Sequence, residues 1–146
     1  MKRIRLFEIF GLVAMLALTG LTCVSNTVDA NGEKLESVTW ELRSYGEPGN
    51  LQTVIAGHEP TLFFDKDKGE IGGSGGVNAY GGKYDLDGNK LTVKEVYQTL
   101  IARTDERLNI QEAAYMKILN SAQRYDIDDG ELTITGAEGV LVFEKK

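Results

Sequence analysis

One cysteine, one histidine and two prolines are all that 146 residues supply of these types, and each scarcity removes a class of explanation. A lone Cys23 cannot form an internal disulfide. A lone His58, in a turn beside Glu59-Pro60, falls short of the three protein ligands that even a catalytic zinc requires, so no metal site is expected. It also offers Ser74 and Ser121 no recognisable catalytic triad. Clustered lysine and arginine are missing as well. The chain carries a net charge of −6, and setting aside Lys2, Arg3, Arg5 and Glu8 with the first 22 residues leaves 13 basic against 21 acidic residues. Phosphate backbones are held by clustered basic side chains, so no nucleic-acid partner is expected.

What the N-terminus does carry is a short positive segment, MKRIR, followed by an apolar run to residue 22. Residues 1–22 read as an export signal peptide. The uncharged stretch 9–24 is shorter than the ~20 residues of a spanning helix, so an uncleaved anchor is the second choice. At its end LTGLTC resembles a bacterial lipobox, with Cys23 as the lipidation site, although Thr22 and Gly20 stand where such boxes favour a small residue and leucine. Val28-Asp29-Ala30 offers a competing signal-peptidase site that would release a protein starting at Asn31. Residues 23–36 have no apolar periodicity and read as a linker. The remainder, 37–146, is long enough for one domain and too short for two.

Within that domain the densest feature is glycine. Seven of the fourteen residues 69–82 are glycine, and in a strand-forming context glycine marks bulges, positive φ or close backbone approach. Phosphate-binding loops do not fit: Gly82-Lys83 is followed by Tyr84, and no register of Gly-x-Gly-x-x-Gly is present. Calcium loops counted from Asp65 or Asp85 lack the required glycine and terminal glutamate. The acidic cluster at Asp126, Asp128, Asp129 and Glu131 reads as the solvent face of a hairpin. No cofactor is indicated.

Around the glycines, short segments alternate apolar and polar residues: 37–43 with Trp40, 51–56, 61–65, then 84–86 and 90–93 about the turn Asp87-Gly88-Asn89, and three closing strands after residue 124. Only 109–122 changes period. Ala114, Tyr115, Ile118, Leu119 and Ala122 share one side of a helix, and Asn109 with Glu112 resembles a capping box that starts it near Ile110. The expectation is α+β: a strongly bent antiparallel sheet or partly open β-barrel of about eight short strands, with one α-helix near residues 110–122 against it.

Gly73-Ser74-Gly75-Gly76-Val77-Asn78-Ala79-Tyr80-Gly81-Gly82-Lys83-Tyr84 resembles the Gly-x-x-Gly-Cys-Asn-x-Tyr-x-Gly-x-Tyr signature of META (HslJ-like) domains. Trp40-x-Leu42, the 60–64 segment PTLFF, Thr99-Leu100-Ile101-Ala102 and the closing strand 140–144 fall where that family has its other landmarks. Val77 and Arg103 stand where many members carry cysteines, and both being absent fits a family in which those two pair. The resemblance implies an exported α+β domain of the cell envelope or exterior, linked to stress tolerance and drug resistance, with no established catalytic activity. The signature residues Gly73, Gly76, Asn78, Tyr80, Gly82 and Tyr84 are expected to be structural: the glycines for backbone geometry, Asn78 to satisfy strand-end backbone groups, Tyr80 and Tyr84 on one face of a strand. The alternative for the tyrosines is a ligand-contacting aromatic patch.

These readings point to a monomeric, non-enzymatic domain that binds an envelope or extracellular protein or a small hydrophobic ligand, tethered to a membrane or secreted. A secreted protease-inhibitor-like protein is the alternative, and a hydrolase with an unrecognised site a weaker one.

Overall fold

Apolar side chains at every second position give a segment one face to bury, and nine strands form on that pattern. The structure, a computed structural model, describes residues 34–36, 38–101 and 104–146. The expected signal peptide, Cys23, both processing sites and Arg103 lie outside the described residues. The strands are β1 (Thr39–Glu47), β2 (Asn50–Thr53), β3 (Thr61–Asp65), β4 (Glu70–Ser74), β5 (Ala79–Asp87), β6 (Lys90–Gln98), β7 (Ala122–Asp128), β8 (Glu131–Gly136) and β9 (Gly139–Lys145). One helix, α1 (Glu106–Asn120), separates β6 from β7.

Every pairing is antiparallel, in the order β2-β1-β3-β4-β5-β6-β7-β8-β9, and β9 returns to pair with β1. Eight strands therefore close into a barrel, with β2 added along the second half of β1, past the end of its pairing with β3. Bulges make the curvature. In β1 the register against β9 shifts between Leu42 and Ser44, so the inward set Trp40, Leu42 skips to Tyr45. In β6 an extra residue lies opposite the Gly81–Lys83 step, with Glu95 at φ 51°, and in β7 the shift falls between Ala122 and Arg124. Because the extra residue is on β6, β5 stays regular and Tyr80 and Tyr84 do face the same way.

Both mouths of the barrel are closed. At the end where β1 begins, residues 34–36 form a helical turn whose Leu35 is fully buried, with its carbonyl accepting the Trp40 indole N–H at 3.0 Å. These residues fell in the expected linker; a single leucine among polar neighbours carries no period, so its docking was not legible. Across the opposite mouth lies α1, which touches β1, β6, β8 and β9, strands from both sides of the ring. Trp40, Tyr115, Leu119 and Phe143, all fully buried, fill the interior between the two closures. Tyr115 meets Tyr80 and Phe143 edge to face, with centroids at 5.7 and 6.3 Å.

Two expectations about elements need correction. The second strand ends at Thr53, short of the expected residue 56, because Ile55 and His58 turn away to meet α1. The helix starts four residues before Ile110: Asp105 is its N-cap, accepting the Arg107 N–H at 3.0 Å, and Leu108 is buried in the first turn. Asn109 and Glu112 form no capping box, since Glu112 faces inward. Ala122 belongs to β7, with the helix ending at the Ser121 cap.

Candidate functional site

The glycine signature spans the end of β4, the loop 75–78 and β5. Its glycines answer to crowding. A Cβ on Gly73 would sit 2.0 Å from the Thr61 carbonyl oxygen, and one on Gly82 3.0 Å from that of Lys94. Gly76 combines φ +99° with a Cβ position 2.7 Å from the His58 carbonyl oxygen, which only glycine tolerates. The His58 ring is drawn into the same loop, with Nδ1 3.4 Å from the Gly76 oxygen.

The tyrosines are core residues, and the aromatic-patch alternative does not hold for them. Tyr80 and Tyr84 are 6% and 8% exposed. The Tyr80 hydroxyl donates to the Thr61 carbonyl at 2.9 Å and lies 2.6 Å from the Tyr115 hydroxyl. Tyr84 donates to Glu36 at 2.5 Å and packs edge-on against Phe64. Burial pushes all three of these phenols well above their ordinary range, reinforced for Tyr84 by the Glu36 carboxylate, so they remain protonated at neutral pH.

Asn78 is the hub. Its Oδ1 accepts the Ile101 N–H at 2.6 Å and the Thr99 hydroxyl at 3.0 Å, while Nδ2 donates to the Ile101 carbonyl at 3.1 Å. The same Nδ2 donates to Glu112 Oε2 at 2.6 Å, and Glu112 Oε1 accepts the backbone N–H of Asn78 at 2.6 Å and of Val77 at 3.2 Å. Next to it, Gln111, 1% exposed, accepts the Ile55 N–H at 2.7 Å and donates to the His58 carbonyl at 2.8 Å. Two adjacent helix residues thus tie two loops to α1, and Asn78 ties in the segment after β6, satisfying donors and acceptors that burial would otherwise leave unpaired. Asn78 was expected to serve strand-end backbone groups; the backbone groups its amide serves are those of Ile101, in the segment that follows β6. Glu112 and Gln111 were missed, although a signal existed: Gln111-Tyr115-Ile118 and Glu112-Tyr115-Leu119 lie along one helical stripe, which marks both polar residues as inward-facing.

The outcome of this clamp is a positioned segment at residues 97–101. Asn78 holds Ile101 by both main-chain groups, leaving Leu100 91% exposed beside Ile101 at 56% and Tyr97 at 70%. The candidate nucleophiles are engaged elsewhere. Ser74 Oγ accepts the Gly76 N–H, and Ser121 Oγ donates to the Ile118 carbonyl and accepts the Glu138 N–H. Among the described residues no three His, Cys, Asp or Glu side chains are grouped as metal ligands.

With this geometry in view, the family model for the META domain matches residues 33–146, from just before the buried Leu35 to the end of β9. The chain belongs to the META domain family. Solved structures share the fold of this META domain. A protein from Burkholderia xenovorans, determined by NMR, is 23% identical with a TM-score of 0.68, over 81% of this chain and 88% of that one. A second NMR structure is 24% identical with a TM-score of 0.61, covering 77% and 92%. A DUF4847 family protein from Bacteroides vulgatus is 16% identical with a TM-score of 0.56, covering 78% and 96%. Curated proteins give no match.

Proposed function

We propose that this META domain is a non-enzymatic binding protein of the cell envelope or its exterior, active in stress tolerance, that docks another protein through residues 97–101. The observation that carries this reading is the clamped apolar segment: Leu100 and Ile101 stand in water on a backbone fixed by Asn78. Large apolar side chains exposed together mark interaction surfaces, and a rigid backbone lowers the entropy cost of docking. A protein partner is favoured over a small hydrophobic ligand because the barrel interior is filled by Trp40, Tyr115 and Phe143. The docking segment also lies at the α1 mouth, away from the end where Leu35 joins the domain, so a tether on the N-terminal side leaves it accessible.

A photo-crosslinking residue placed at Leu100 of the full-length protein in its native envelope tests this. The expected result is one discrete adduct, absent when the probe is placed at the exposed Lys90 and lost when Ile101→Asp is added. Equal labelling from both positions, or none from position 100, would overturn the reading.

A further inference from the structure

Across the outside of the barrel, one register row reads Phe63, Gly72, Gly81, Tyr97 over β3, β4, β5 and β6. Residues directly opposite one another share a sheet face, so all four point outward. Both aromatic side chains lean over the glycines. A Cβ on Gly72 would lie 2.6 Å from Phe63 Cζ, and one on Gly81 2.5 Å from the Tyr97 hydroxyl oxygen. The ring tips therefore rest over adjacent strands, which run ~4.8 Å apart, as an aromatic strip with no side chain between them. Covering the glycine backbone accounts for the lean but leaves the outer surface of the rings unused, with Phe63 44% and Tyr97 70% exposed.

The surroundings select among flat ligands. One step along the register, Asp65, Glu70, Lys83 and Lys94 form the next row, with Lys83 paired to Glu95 at 2.7 Å. A groove of about 470 Å³ that Phe63 helps to line continues past Glu36, Thr39, Asp65, Lys66 and Asp67. The two carboxylates and two ammonium groups of that row balance, leaving no excess positive charge to hold phosphate or sulfate, while interspersed charged donors and acceptors suit a neutral ligand bearing many hydroxyls. We propose that the Phe63–Tyr97 strip is a stacking site for an uncharged β-1,4-linked sugar chain. Such a chain is a flat ribbon whose C–H faces suit the electron-rich faces of aromatic rings. The site shares Tyr97 with the 97–101 docking segment, but Phe63 belongs to the strip alone and Leu100 to the docking segment alone.

Titration of full-length protein with cellotetraose and chitotetraose, followed by NMR at the Gly72 and Gly81 amides, tests the proposal. Saturable binding in the millimolar range is expected, weakened about tenfold by Tyr97→Ala and by Phe63→Ala. Tyr97→Phe, which keeps the ring, should bind within about twofold of the parent. Tyr97 is largely exposed, so its alanine variant should fold, and Leu100→Asp should leave sugar binding unchanged while abolishing protein docking. No shift at the two glycines at about 10 mM of either sugar, or binding indifferent to both alanine variants, would overturn the proposal.

Discussion

Glu112→Gln is the sharpest probe of the buried clamp, because it keeps the side-chain volume and changes one oxygen into an N–H₂ group. In the parent all three groups donating to Glu112 are N–H donors, two on Oε1 and one on Oε2. A glutamine amide must therefore turn its own N–H₂ toward a donor. Its better orientation sacrifices the bond from Asn78 Nδ2 and leaves that donor facing another. A hydrogen bond to a charged group is worth about 1.5–3 kcal/mol, and stranding a buried donor costs about 1–3 kcal/mol. The two overlap in part, so a destabilisation of about 2–4 kcal/mol follows, which in a domain of this size lowers the melting midpoint by roughly 10 °C. Circular dichroism melts measure it, and hydrogen exchange locates it, with the Val77, Asn78 and Ile101 amides losing protection ahead of the barrel. Combining Glu112→Ala with Asn78→Ala should cost less than the two separately, by about 1 kcal/mol or more. A midpoint for Glu112→Gln within about 2 °C of the parent, or strict additivity in the double variant, would refute the assignment of the clamp to this carboxylate.

Gly76→Val places a branched Cβ at φ +99° against the His58 carbonyl oxygen, which should cost about 4 kcal/mol through strain and overpacking together. An unchanged urea midpoint would show that the loop yields freely. Alkaline pH acts on the buried phenols. Tyr80, Tyr84 and Tyr115 are raised above their ordinary 10.0 by burial, so the folded state prefers them protonated. Their contribution is complete below pH 10 and is lost as the pH climbs from there toward the raised values. Tyrosinate absorbance should therefore register these three only as the barrel unfolds; ionisation with the near-ultraviolet dichroism intact would contradict their burial.

Much of the barrel was legible because its determinants are local. Alternation in 37–43, the Asp-Gly-Asn turn after residue 86 and the glycine density of 69–82 each depend on neighbours a few residues away, and the strands, hairpin and bulge-rich sheet follow. The helix was legible in place but not in bounds. Its buried face carries Gln111 and Glu112 among apolar residues, which blurs the amphipathic period and let Glu112 pass for a capping residue.

The sequence by itself determined most of the segments that extend, where the one long period of 3.6 falls, that the signature glycines Gly73, Gly76 and Gly82 stand where side chains cannot, and, through an ordered set of short motifs, the family. Those properties are written in spacing along the chain. Closure of β9 onto β1, the seating of Leu35 and α1 in opposite mouths, and the meeting of Asn78 with Glu112 across 34 residues were decided only in three dimensions. So was the alignment of Phe63, Gly72, Gly81 and Tyr97 in one row. The physical reason is register: a strand's pattern says which residues face out, but only the pairing of separate strands, set by bulges and by the packing of a shared interior, says which of them become neighbours.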